Sequence, residues 1–322
     1  MEYRPFGRTG WRVSATGTGT WAMGSLWGPV DDRESLAALD RAVGLGVNFF
    51  DTADVYGSEP LLGQLRRRTK EPIYIATKLG MRINPDPRAY NRKNIGVFVE
   101  SSLRNLGVEA IDLLQLHCPP IETYNPEVFG LLDDLVKAGK IRFYGVSVER
   151  ISEALKAIEF PNVQSVQLVF NMFRQRPIDD LFPETKRRGV AVIARVPLAS
   201  GMLTGKMTRQ TKFARDDHRN FNRDGSAFDR GETFGGVDFE VGLAAVDELR
   251  PLVPEGWSMA QMALRWILMF DAVACAIPGA KSTAQVEDNV RGAALAPLPE
   301  ATMAAIRSVY DRRIREDVHH FW

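Results

Sequence analysis

The sequence predicts an α/β protein folded as a closed (β/α)8 TIM barrel, with a β-hairpin before the barrel and an extra helix after it. Three observations carry that prediction. Short apolar runs alternate with longer amphipathic segments along nearly the whole chain, the order expected of a parallel sheet wrapped in helices. Most runs are rich in Val, Ile or Phe with little two-residue alternation, as in strands covered on both faces. The runs number eight within 322 residues, an ordinary length for one closed barrel. Residues 1–322 are therefore read as a single barrel domain.

Tyr3–Val13, with Gly7-Arg8-Thr9-Gly10 at its centre, reads as the hairpin. A first barrel strand is expected near Val13–Thr20. The other seven are Gly46–Phe50, Ile73–Thr77, Ile111–Leu116, Ile141–Val146, Val163–Leu168, Val190–Ala194 and Val273–Ile277. Between them, Asp31–Leu45 opens on Asp-Asp-Arg-Glu, a cap and acidic first turn, and places Leu36, Leu39, Ala42 and Val43 on one side. Asn94–Leu106 spaces Ile95, Phe98, Val99, Leu103 and Leu106 helically and stops at Gly107, a C-cap signal. Helices are also expected at Asn125–Ala138, Ser152–Ile158, Leu181–Arg188, Phe239–Leu249 and Ser258–Met269, with Glu300–Tyr310 as the extra one. Residues 207–237 are Gly-, Asp- and Arg-rich with isolated Phe residues and no sustained period. So long an irregular segment is usually functional or disordered. Its Phe residues have no local partners, so a mobile loop folding over a ligand is expected.

Composition excludes several classes. Hydrophobic residues make 45% and charged residues 25%, as in a soluble globular enzyme. Lys+Arg 41 against Asp+Glu 40 leaves +1, too little positive charge for a general nucleic-acid binder. Two cysteines, Cys118 and Cys275, exclude a disulfide scaffold and a Cys-based metal cluster, and no metal is expected. The N-terminal MEYRPFGRTGWRVSATG lacks the apolar stretch of a signal peptide, and the longest apolar run, near Trp266–Phe270, is too short for a bilayer. The expectation is a cytoplasmic monomer or homo-oligomer without a membrane partner.

Two motifs tempt and fail. Gly17-Thr-Gly19-Thr-Trp-Ala22 matches a dinucleotide fingerprint, but Met23–Pro29 cannot form the helix that should receive the pyrophosphate. Gly201-Met-Leu-Thr-Gly205-Lys206-Met207 resembles a P-loop one residue short, with Met207 where magnesium needs Ser or Thr. It remains a glycine-rich loop with a cation, able to offer backbone N–H groups to phosphate.

The working face of such a barrel lies at the C-terminal ends of its strands. There the second strand ends in Asp51, the following loop carries Tyr56, the third strand ends in Lys78 and the fourth in His117. A phenol titrates near 10, and a neighbouring ammonium, itself held by a carboxylate, is expected to lower that value. An imidazole beside it can orient a carbonyl oxygen. The set can protonate a carbonyl but holds no hydride source, so a nicotinamide cofactor is implied. A Schiff-base role for Lys78 conflicts with Asp51, which favours the charged amine, and no facing carboxylate pair suggests a glycosidase.

FFDTADVYGSE, ATK and LLQLH together resemble the aldo-keto reductases, which are single (β/α)8 barrels using NADPH. The resemblance spans nearly the whole chain. It implies reversible reduction of an aldehyde or ketone, with Tyr56 as general acid, Lys78 and Asp51 tuning it, and His117 orienting the carbonyl. It further implies that Ser147 and Gln167 hold the nicotinamide carboxamide, with Val148 where Asn is usual, and that Phe170 stacks on the ring. VPLASGMLTGK resembles the segment over the pyrophosphate, which gives Pro197, Leu198, Ser200, Gly201, Leu203, Gly205 and Lys206. IPGAKSTAQVEDN resembles the adenosine and 2′-phosphate segment: Gly279, Lys281, Ser282 and Gln285 near the phosphate, Asp288 and Asn289 toward adenine. Gln285 stands where many relatives carry Arg and removes a bidentate phosphate contact, so NADPH is expected with NADH possible. Trp21, also counted beside the cofactor, Trp27, Val55 and Met23 are expected to wall a substrate pocket, with Arg195 and Arg219 as possible anion contacts. The competing implication is a nucleotide-sensing subunit of the same fold with little catalysis.

Overall fold

The computed structural model describes residues 1–24 and 31–322. Strands β1 (Tyr3–Pro5) and β2 (Arg12–Ser14) form the antiparallel hairpin. The eight barrel strands are β3 (Thr18–Gly19), β4 (Phe49–Asp51), β5 (Tyr74–Leu79), β6 (Ile111–His117), β7 (Ile141–Ser147), β8 (Val163–Val169), β9 (Ala191–Arg195) and β10 (Val273–Ala276). They pair parallel in chain order. Bridges between Thr16 and Ala276 and between Gly19 and Gly279 join the first strand segment to the last and close the ring. The run near Val13–Thr20 is thus divided between hairpin and barrel. The second strand begins only at Phe49, because Gly46 takes a positive φ of 87° in the turn before it.

The helices are α1 (Asp32–Gly44), α2 (Glu59–Arg68), α3 (Arg92–Leu106), α4 (Pro126–Lys137), α5 (Ile151–Ala157), α6 (Pro177–Asp180), α7 (Phe182–Arg188), α8 (His218–Phe221), α9 (Phe239–Leu249), α10 (Met259–Ile267), α11 (Thr283–Ala294), α12 (Glu300–Val309) and α13 (Arg315–Val318). A widened π turn at Tyr310–Ile314 joins the last two. Local chemistry sets several ends. Asn91 caps α3 by accepting from the Asn94 N–H, and Gly107 stops it in the left-handed region at φ 66°. Helices α2 and α11 add to the periodic segments read from the sequence. The first is short and buries only the stripe Leu61, Leu62 and Leu65, besides Glu59 and Gly63.

Side chains along each strand alternate between two cores. Phe50, Ile75, Leu114, Val146, Val166, Leu168 and Val192 face the helices. Phe49, Ala76, Leu113, Ala191, Ile193 and Cys275 face the barrel axis, where Phe6 and Val13 of the hairpin join them. Trp11 stacks on Tyr74 with centroids 4.4 Å apart and meets Phe143 edge-on at 5.0 Å. The hairpin is therefore the floor of the barrel. Arg4 pins it by donating to the carbonyls of Leu268, Phe270 and Val273, and Arg8 donates to those of Pro161, Val163 and Arg188.

Residues 207–237 are packed rather than loose in this structure. Phe213 and Phe239 meet Phe234, Phe221 meets Phe228, and Phe228 approaches Trp21. Asn222 receives the backbone N–H groups of Ala227 and Phe228, and donates to Thr233. The segment lies over the end of the barrel opposite the hairpin.

Candidate active site

The alternation that points Phe49 inward also points Asp51 inward, two residues on. By the same parity Lys78 follows Ala76, Gln115 and His117 follow Leu113, Ser147 follows Phe143, Gln167 follows Ser165, and Arg195 follows Ile193. One layer of the barrel interior is consequently polar, at the C-terminal ends of the strands.

Within it, Lys78 Nζ donates to Asp51 Oδ1 at 2.5 Å and to the Thr52 carbonyl at 2.9 Å. Asp51 Oδ2 accepts from Gln167 at 2.7 Å and Gln115 at 3.3 Å. The Lys78–Asp51 pair is buried, with Lys78 only 1% exposed. Burial pulls the ammonium below the usual lysine range, and Asp51 opposes that pull. The ammonium sits 5.0 Å from the centre of the Tyr56 ring. The His117 ring meets the Tyr56 ring edge-on at 5.8 Å. The four residues picked from separate strand ends and one loop thus share one space.

Their electrostatics depart from expectation at one point. The Tyr56 phenol is held above its ordinary value, not below it: burial dominates, Asp51 adds to it, and Arg195 opposes. The Lys78 charge is already engaged by Asp51 and the Thr52 carbonyl. His117 lies well below the ordinary imidazole value through burial and the charges of Lys78 and Arg195, so it is neutral at pH 7.

Trp21 stands 6.1 Å from the Tyr56 ring, stacked, and packs on His218 at 5.0 Å. Val55 is exposed at the rim, Met23 is buried, and Trp27 lies outside the described residues. Phe170 corrects the sequence reading. It is fully buried among Phe182, Trp266 and Phe270, on the helix side of β8, and no face of its ring is left for a cofactor. It follows directly on β8 and packs in the same core as Val166 and Leu168, away from Gln167.

After β9 the chain makes a tight loop in which Val196, Ala199, Ser200 and Gly201 all have positive φ. Pro197, Leu198, Gly205 and the exposed Lys206 belong to this loop, and Leu203 turns its side chain into the core. The Ser200 hydroxyl donates to the Glu232 carbonyl and accepts from the Phe234 N–H, fastening the 207–237 segment. A Cβ on Gly201 would stand 3.6 Å from the Arg219 guanidinium. Beyond β10, Gly279 accepts from Asn289, Ser282 caps α11, and Gln285 accepts from the Lys281 N–H. Asp288 accepts from Gln261 through Oδ1 at 2.5 Å and so ties α11 to α10. Partial burial and then the nearby Arg219 hold the Lys281 ammonium below the usual lysine range. Arg219 is itself held by Asp217 at 2.6 Å, so the two cations and this carboxylate share one corner of the loop cluster.

Four residues in or against this layer escaped the sequence reading in whole or part. Gln115 adds an amide to Asp51. Arg195 is 7% exposed and pairs with Glu149 at 3.0 Å and with Glu232, while donating to the Val148 carbonyl at 2.8 Å. Arg195 is therefore committed to protein carboxylates rather than open to an anion. Its inward parity with Ile193 was a readable signal. Among the described residues, no group of three or more His, Cys, Asp or Glu could hold a metal ion, and no helix is long and apolar enough to cross a membrane.

The Aldo/keto reductase family model matches residues 16–311. The chain belongs to this family. It is 32% identical over 301 residues to the aldo-keto reductase YhdN of Bacillus subtilis (strain 168), covering 89% of this chain and 87% of that one. It is 27% identical to the Schizosaccharomyces pombe aldo-keto reductase yakc [NADP(+)], covering 93% and 89%. The same identity, covering 92% and 93%, relates it to a probable voltage-gated potassium channel subunit beta of Arabidopsis thaliana. Among solved structures, the glycerol dehydrogenase AKR11B4 from Gluconobacter oxydans superimposes with a TM-score of 0.81 at 30% identity, covering 97% and 96%. This aldo-keto reductase is an oxidoreductase with a (β/α)8 barrel.

Proposed function

We propose that the protein reduces an aldehyde or ketone to the alcohol with NADPH, reversibly, and that Tyr56 gives the proton. One observation carries the reading: a buried Asp51–Lys78 pair lies against Tyr56, with a neutral His117 across the same space. The dinucleotide, when bound, supplies the hydride. Ser147 and Gln167 would meet its nicotinamide end, the loop from Pro197 to Lys206 its pyrophosphate, and Lys281 with Arg219 the 2′-phosphate. The charge of Lys281, with Arg219 close enough to act on it, supports NADPH over NADH, and the name of the yakc relative agrees with it.

The chain's own residues do the rest. Neutral His117 donates a hydrogen bond to the carbonyl oxygen and so fixes its place. Tyr56 stays protonated in the resting site because burial and Asp51 disfavour the phenolate. It releases its proton only as negative charge builds on the substrate oxygen at hydrogen-bond distance. The Lys78 ammonium, 5.0 Å from the ring centre, and the Arg195 charge favour the phenolate that forms, and Asp51 with Gln167 and Gln115 keeps the ammonium in place. Trp21 and Phe228 cover the site from water.

The test is Tyr56→Phe, assayed by NADPH oxidation against a panel of small aldehydes. Loss of about 10²–10⁴-fold in turnover, with NADPH binding retained, is expected for a removed general acid. A parent-like rate sinks the assignment. A second reading, a nucleotide-sensing subunit, is favoured by the relatives named as potassium channel β subunits. Tight NADPH binding by the parent without turnover on any carbonyl selects it.

A further inference from the structure

The loop after β5 reaches back over the site and grips the strand end that carries His117. Asn84 donates from Nδ2 to the carbonyl oxygens of His117 at 3.2 Å and Cys118 at 3.0 Å. Its Oδ1 accepts from the Tyr90 hydroxyl at 2.5 Å. Only this orientation of the amide satisfies all three partners, since carbonyls cannot donate. Tyr90 is itself buried, and its hydroxyl passes where a side chain on Gly80 would be: a Cβ there would lie 2.3 Å from that oxygen.

Two more observations give this grip a purpose. The Nδ1 of His117 is buried and has no hydrogen-bond partner among the described residues. A working histidine is commonly aimed by an acceptor on its second nitrogen. Among the described residues no such partner exists, so the ring's aim depends on where the backbone sets its Cα. The next residue, Cys118, has a φ of +49°. That left-handed region costs a non-glycine residue on the order of 1–2 kcal/mol and persists only where the surroundings enforce it. The Cys118 N–H is held by the Ser147 carbonyl at 2.8 Å, and its own carbonyl is held by Asn84. The strained turn is thus clamped on both sides, and one clamp also holds the His117 carbonyl.

We propose that Asn84, oriented by Tyr90, is a positioning residue: by clasping the two successive carbonyls of His117 and Cys118 it aims the His117 imidazole at the substrate oxygen. The proposal rests on the role given to His117 above. It adds a residue that touches neither substrate nor cofactor and lies in a loop with no catalytic signature.

The experiment compares Asn84→Ala, Tyr90→Phe, His117→Ala and the double variant Asn84→Ala with Cys118→Gly. Each is assayed with NADPH and the aldehyde that the parent reduces fastest. Asn84→Ala should lower kcat on the order of tenfold or more, since small misplacements of a reacting group have effects of this size. NADPH affinity should stay within about twofold, and the deuterium isotope effect on kcat with 4-deuterated NADPH should rise. Tyr90→Phe, a milder change that also serves if Asn84→Ala fails to fold, should shift kcat and the isotope effect the same way, by less. Glycine occupies φ near +49° without strain, so Cys118→Gly should restore at least about threefold of the loss in Asn84→Ala. The proposal is overturned if Asn84→Ala and Tyr90→Phe stay within about twofold of the parent while His117→Ala is crippled. It is equally overturned if NADPH affinity falls in step with kcat, the mark of general loosening. A parent-like His117→Ala instead removes the site reading beneath it.

Discussion

Replacing Arg195 by Met removes the cation that pairs with both Glu149 and Glu232. In the parent, the guanidinium is 8% exposed and is bracketed by Glu149 and Glu232, themselves 18% and 16% exposed. Met keeps most of the length but leaves two negative charges facing each other in a largely dry space. Removing one partner of a buried ion pair generally costs about 3–5 kcal/mol. The slight exposure of the carboxylates puts this case near the lower figure. At about 2.1 cal/mol/K per residue, the unfolding entropy of the 322-residue chain is ~0.7 kcal/mol/K, so 3 kcal/mol corresponds to a Tm lower by about 4 °C. Differential scanning calorimetry at neutral pH reads this directly. Adding Glu149→Gln and Glu232→Gln to the Arg195→Met background should recover part of the loss, since the two carboxylates are then neutral while buried Arg174 loses the Glu149 charge that stabilises it. If Arg195→Met melts within about 1 °C of the parent, or the triple variant recovers nothing, the cluster does not have the energetic role its geometry implies.

Other outcomes follow from the same site. Asp54 is buried and its carboxyl is raised to about 6, chiefly by burial. The native state therefore holds this proton where the unfolded chain has lost it, and stability from this group is present below pH 4 and lost as pH rises through 6. Asp54→Asn should raise stability at pH 8 by about 1–3 kcal/mol and leave it unchanged at pH 4, as urea titrations at the two pH values would show. Because His117 lies well below the ordinary imidazole range, the kcat for reduction should show no step near pH 6.5, as a pH profile would reveal; such a step would place a titrating imidazole in the reaction after all. Lys281→Met should raise the KM for NADPH about tenfold and leave that for NADH nearly unchanged, as initial rates with the two cofactors would reveal.

Strand ends were legible because an apolar run that stops at Asp51, Lys78 or His117 marks where the inner barrel wall turns polar. The resemblance then joined three runs and a loop into one site. Arg195 was visible as a strand end, but its occupation was not. Glu232 reaches it from an irregular segment 37 positions away, and nothing local announces that pairing. Phe170 was misplaced for the opposite reason. A family position suggested stacking, whereas the ring, just past the end of β8, is taken up by the helix-side core with Phe182, Trp266 and Phe270. The expected acidity of Tyr56 failed because sequence proximity of charges says nothing of desolvation, which outweighs them in a buried site. Asn84 was unreadable, since a clasp on two carbonyls depends on loop geometry rather than residue pattern.

The floor of the barrel is made by the first fourteen residues, yet its fasteners are carbonyls more than 150 positions downstream, from Pro161 to Val273. The hairpin can form early, but it has nowhere to dock until β8 and β10 exist. Such distant closure is slow by its loop entropy. A partly folded chain with its wall built and its plug unseated leaves Phe49, Tyr74 and Phe143 open to water. Tight seating of two arginines at one end is thus what keeps the late stage of assembly from presenting a sticky aromatic cup to its neighbours.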